Sequence, residues 1–193
     1  MPSPGIDHRN RLAQEVCGDH REVEKIFHRL ETETLDAAEQ QALVEQAVTM
    51  VVMHAVASEQ LIYPVARRML ANGDALADRQ IALNAEAEQT MKELEKLDPG
   101  DAEFPAVLGR MITTVRLVSQ DMERNLLPQL TIAVGLKETE ATGEAYAAAK
   151  KVAPTRPHPA SPDSPPGNLM NPLTGLVDRL RDAVSGRGQT STP

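Results

Sequence analysis

The chain has 193 residues with 28 acidic and 20 basic side chains, a net charge of −8, no Trp, two Tyr and two Phe. That length allows one domain with a tail, and the scarcity of aromatic residues argues for helices over strands. The acidic balance, with no basic face in the sequence, excludes an ordinary nucleic-acid binder.

Residues 1–7 contain Pro2, Pro4 and Gly5 and read as loose. A first helix is predicted over about 7–33, its apolar stripe Leu12, Val16, His20, Val23, Phe27 and Leu30 recurring at steps of three and four. His20 thus takes a core position, whereas His8 and His28 flank the stripe and read as exposed. Gly18 weakens this helix by roughly 1 kcal/mol relative to Ala.

Thr34 reads as the N-cap of a second helix that ends near Leu70. Its stripe is Val44, Ala47, Val51, His54, Ser58, Leu61, Val65 and Met69. A histidine and a serine in mid-stripe are out of place unless the bundle interior uses them. Pro64 predicts a kink, because proline lacks the amide donor and its ring crowds the preceding turn. Asn72-Gly73-Asp74 is a stop.

A third helix is predicted over about 75–97, with stripe Ile81, Asn84, Glu88, Met91 and Leu94. A fourth covers about 105–130, with stripe Leu108, Met111, Val115, Val118, Met122 and Leu126 and with Pro128 near its end. A shorter, Ala-rich helix covers about 138–152. These make an all-α, up-down-up-down four-helix bundle over residues 1–152. Residues 153–172 are dense in proline and read as a disordered linker. Residues 173–193 carry a short amphipathic helix (Leu176, Val177, Leu180, Val184), a candidate docking element for a protein partner, and a loose terminus.

The single Cys17 excludes an intrachain disulfide and any zinc site built on several cysteines, and fits a reducing cytoplasm. The start of the chain does not read as a signal peptide, and no apolar run approaches the ~18 residues of a membrane span.

Helical rise places His20, His54, Ser58, Asn84, Glu88, Val118 and Met122 within a turn or two of one layer. The sequence also echoes itself. His54-Ala-Val-Ala-Ser-Glu59 followed by Pro64 matches Val118-Ser-Gln-Asp-Met-Glu123 followed by Pro128, at an offset of 64.

At Asp19-His20-Arg-Glu-Val-Glu, His54-Ala-Val-Ala-Ser-Glu59 running to Pro64, Glu86-Ala-Glu88, and Glu123 running to Asn-Leu-Leu-Pro128, the sequence resembles the hemerythrin-like, HHE cation-binding domain family. The proline-rich tail is similar to that of bacterial members. The resemblance implies a bundle in which a histidine of the first helix, a His-x-x-x-Glu of the second, a histidine of the third and a His-x-x-x-Glu of the fourth hold two irons. Carboxylates bridge the metals, and an open position takes dioxygen, peroxide or NO.

On this chain His20 and His54 match that pattern. Ser58, Asn84, Val118 and Met122 stand where it implies ligands. Glu59 and Glu123 lie one residue beyond the bridging positions, about 100° round the helix, and so are expected on a flank. Glu88 is the carboxylate left on a stripe. The metal candidates are therefore His20, His54, Glu88, Glu59 and Glu123, and three arrangements stay open. One is a metal-free imidazole pair satisfied by Ser58, Asn84 or Glu88. The second is one metal ion on His20, His54 and Glu88. The third is an iron pair that recruits Glu59 and Glu123. The implied cofactor is iron, mononuclear or sub-stoichiometric. The function classes are a non-haem iron protein meeting dioxygen, peroxide or NO, a metal-free helical scaffold acting through partners, and a peroxide-consuming enzyme.

Overall fold

The computed structural model describes residues 10–156. The helices are α1 (Arg11–Thr32), α2 (Ala37–Ala57), α3 (Tyr63–Met69), α4 (Gly73–Leu94), α5 (Phe104–Asp121), α6 (Leu127–Ala133) and α7 (Leu136–Lys150). A π turn, Ser58–Ile62, joins α2 to α3, and a second, Met122–Leu126, joins α5 to α6. α1, α2–α3, α4 and α5–α6 are the four long rods of the expected all-α bundle, and α7 packs on α1 and α2.

Each start has its own chemical cause. The Asn10 side chain accepts from the Ala13 amide and caps α1. The N-cap of α2 is not Thr34 but Asp36, whose carboxylate accepts from the Glu39 amide while the Glu39 side chain accepts from the Asp36 amide. This reciprocal box satisfies two orphan donors at once, more than a lone Thr can.

The two π turns are the physical content of the 64-residue echo. Pro64 and Pro128 each lie in the first turn of the helix after a π turn. Just before each proline, the Tyr63 amide reaches back to the Ser58 carbonyl, and the Leu127 amide to the Met122 carbonyl. A wider turn makes room for a ring that an α-helical turn would clash with.

The extra residue also rotates everything that follows. The α2 stripe was expected to continue through Leu61, Val65 and Met69. The buried residues are instead Ile62, Tyr63 and Ala66, and Met69 is 38% exposed. The inward face has moved on by one position, as one inserted residue requires.

The core forms two clusters. One gathers Val23, Phe27, Val44, Val51, Met91, Phe104, Met111 and Val118 towards one end; the other gathers Leu12, Val16, Cys17, Tyr63, Met122, Leu126 and Tyr146 towards the other. The polar layer lies where they meet. Helix Ala37–Met69 is long and apolar enough by composition to cross a membrane, at a mean hydropathy of 1.2, though half of that window is buried inside the bundle. Scattered Ala and Val raise the average without forming a continuous apolar run.

The packed region reaches past the expected boundary at 152. Ala153 and Thr155 are buried, and the Thr155 carbonyl accepts from the Thr49 hydroxyl on α2. The rest of the stretch read as linker, and the amphipathic segment 173–184, lie outside the described residues.

Asp121, the last residue of α5, is buried and accepts from Arg79 (2.7 Å), Gln80 (2.8 Å) and Asn125 (2.7 Å). It ties both sides of the second π turn to α4. Asp121→Ala should cost roughly 1–2 kcal/mol, because it strands the Gln80 amide in the interior. Urea unfolding measures this, and an unchanged midpoint would mean that the network contributes nothing.

Candidate functional site

α1, α2, the second π turn and α7 meet around two imidazoles. His54 is 6% exposed, and the His20 side chain is 8% exposed. The His20 Nδ1 donates to Glu123 Oε1 at 2.8 Å. The His54 Nδ1 donates to the Tyr146 hydroxyl oxygen at 2.7 Å, and that hydroxyl donates to Asp19 Oδ2 at 2.8 Å. Lys150, one turn along α7 from Tyr146, holds the other Asp19 oxygen. The two Nε2 atoms then face each other at 3.4 Å, with ring centroids 4.8 Å apart.

Charge and burial fix the tautomers. Burial pushes the Asp19 carboxyl up, but hydrogen bonds and charge from His54 and Lys150 outweigh this, and it lies at about 2. Asp19 is therefore an acceptor only, and the proton between it and Tyr146 belongs to the phenol, which burial and Asp19 hold well above its usual range. The four contacts from Glu123 to Asp19 need one proton each, but two neutral imidazoles and one phenol supply three. Burial lowers the His20 imidazole, against the pull of Glu123. In the neutral state two Nε2 lone pairs converge on one point, and a single cation would satisfy both.

Cys17 lies beside this group. Burial and the Glu123 carboxylate push its thiol to about 12, against the pull of Arg21. It is therefore inert as a nucleophile.

The remaining candidates form a second group. Tyr63 is buried, and its hydroxyl accepts from the Asn84 amide at 2.9 Å. Burial and then the Glu59 carboxylate raise its phenol. Glu59 itself is pushed from 4.5 to about 7, first by burial and then by the negative charge of Glu88. Glu88 pairs with Lys92 at 2.9 Å. Ser58 is fully buried.

The expectations about positions divide accordingly. His20 and His54 do meet. Glu123 does not lie on a flank: it bonds His20, although to the outer nitrogen. Glu88 lies near enough to Glu59 for its charge to act on it, and neither bonds His20 or His54. Among the described residues, no three His, Cys, Asp or Glu side chains are arranged to hold a metal ion. Val118 and Met122 are 6% and 0% exposed and fill the layer with apolar volume.

Asp19, Tyr146 and Lys150 were not singled out from the sequence as site residues. Asp19 precedes His20 directly, and Tyr146 and Lys150 are one helical turn apart, but α7 had no stripe to show which face it buries.

The family model described as the hemerythrin HHE cation-binding domain matches residues 12–130. An uncharacterized hemerythrin-like protein of Schizosaccharomyces pombe is 20% identical over 176 residues, which cover 90% of this chain and 86% of that protein. No solved structure matches. The family match covers nearly all of the four rods, both π turns and every histidine and carboxylate of the layer, leaving out only Tyr146 and Lys150 on α7, and the chain belongs to the hemerythrin HHE cation-binding domain family.

Proposed function

We propose that this HHE-domain protein works without the di-iron centre that its fold implies, and that its polar layer seats at most one cation, between His20 and His54. The observation that carries this is the inward face at the α5 end: Val118 and Met122 present an isopropyl group and a thioether where an iron pair requires an imidazole and a carboxylate. Asn84 is spent on Tyr63, and Glu123 on the far nitrogen of His20. These donors do not fit two irons.

The convergence of the two Nε2 atoms supports one metal ion as the cation. Two nitrogens bound to a common ion at about 2.1 Å lie roughly 3.0–3.4 Å apart for angles of 90–109°. Each outer nitrogen is held by a hydrogen bond, His20 directly by a carboxylate and His54 through Tyr146, as oriented metal ligands are. Such an ion would supply an open position for dioxygen, peroxide or NO. The protein's own part is to hold the rings in register and keep the layer dry. Without the ion the chain is a helical scaffold acting through a protein partner, for which segment 173–184 is the candidate contact. A cytoplasmic setting, with Cys17 kept reduced, belongs to the same reading.

The test is metal analysis and visible spectroscopy of protein purified from iron-supplemented cells. The expected result is at most one iron per chain, with no charge-transfer bands of an oxo-bridged pair. Two tightly bound irons with those bands would overturn the proposal.

A further inference from the structure

A cleft of about 280 Å³ opens between α1 and α5, beside His20. Its floor is apolar, made by Val23, Phe27 and Val115, all buried. Its charged walls are mostly spoken for. Arg116 is gripped by Glu24 and Glu31 and lies over the Phe27 ring, 5.8 Å from its centroid. Glu123 is held by His20.

Arg21 is different. It is exposed at the mouth, and among the described residues no carboxylate or hydrogen-bond acceptor engages its guanidinium. Ser119 and Gln120, one helical turn beyond Val115 and Arg116, also bring hydrogen-bonding groups to the wall with no partner among the described residues. Every other arginine of α1–α5 forms an ion pair with a carboxylate. An apolar floor, an unopposed guanidinium on one side and two uncommitted polar side chains on the other are the elements of a small-ligand pocket.

We propose that this cleft binds a small monocarboxylate with a flat or branched apolar body, its carboxylate on Arg21 and its apolar part on Phe27 and Val115. The volume accommodates a single ring with its carboxylate. Glu24 is paired with Arg116, whereas Glu123, bonded to a neutral His20, keeps its negative charge; Arg21 at the mouth can therefore hold one carboxylate, and Glu123 on the His20 side selects against dianions. The pocket needs no metal and stands apart from the proposal above.

The experiment titrates the full-length, chelator-treated chain with benzoate and follows backbone amide signals by NMR. Benzoate should shift the α1 and α5 signals around Arg21, Phe27, Val115 and Ser119, with an affinity of roughly millimolar as expected for so small a ligand. Benzamide, which lacks the charge, and acetate, which lacks the ring, should each bind about tenfold more weakly or not at all. Arg21→Ala, an exposed substitution, should keep the native spectrum and lose benzoate binding by the same factor. Equal binding of benzamide, equal binding of acetate, full binding to Arg21→Ala, or no shifts at 10-fold above the millimolar range would each overturn the proposal.

Discussion

Gly143→Ala is expected to destabilise the protein by about 2–3 kcal/mol, roughly 5–10 °C in Tm for a chain of this size. A Cβ at Gly143 would lie 2.8 Å from the Leu12 amide nitrogen and 2.9 Å from the Arg11 carbonyl carbon. Both are backbone atoms of α1 and cannot rotate away, so α7 must lift. Tyr146 lies one turn further along α7 and would move with it, opening its contacts with His54 and Asp19. Gly18→Ala is the control. It adds the same methyl group within α1, where nothing lies within 4 Å. It should stabilise by about 0.5–1 kcal/mol, through helix propensity alone. Thermal unfolding of the two variants beside the parent decides the matter. A Gly143→Ala protein as stable as the parent would mean that α7 does not dock through this contact.

Glu59→Gln should stabilise the protein by about 2 kcal/mol at pH 8 and by nothing at pH 4. The folded carboxyl titrates at about 7, against 4.5 in a solvated chain, because burial and Glu88 oppose its charge. The sign follows from linkage: the native state binds this proton more tightly than the unfolded state. Below pH 4.5 both states are protonated and the residue is neutral in the balance. Between pH 4.5 and 7 stability falls as pH rises, and above 7 the whole cost is present. The difference between the two values corresponds to roughly 3 kcal/mol, and water reaching a half-buried carboxyl reduces it to about 2. Glutamine keeps the shape and removes the charge. Urea unfolding of parent and variant at pH 4, 6 and 8 measures the effect. A gain that does not grow with pH would show that Glu59 is not held in this unfavourable field.

Periodicity alone determined which residues of α1 and α5 face inward. Leu12, Val16, Val23 and Phe27, and likewise Leu108, Met111, Val115 and Val118, are all buried, because an uninterrupted α-helix keeps one face over its whole length. The same arithmetic brought His20 and His54 into one layer and made Val118 and Met122 apolar filling. The family was legible too, since its residues are local in sequence and recur around two prolines.

The tertiary structure decided what no constant period could. Each π turn inserts one residue ahead of its proline, so Ile62 replaces Leu61 in the core. Glu123, placed on a flank by counting 100° per residue, reaches His20 instead. Pairings that span 103 to 131 residues (Glu123 with His20, Tyr146 and Lys150 with Asp19) have no local signature, because they depend on how the second π turn meets α1 and on where α7 lands. That landing is set by a glycine small enough for two backbones to touch, a fact about contact distance that neither composition nor spacing encodes.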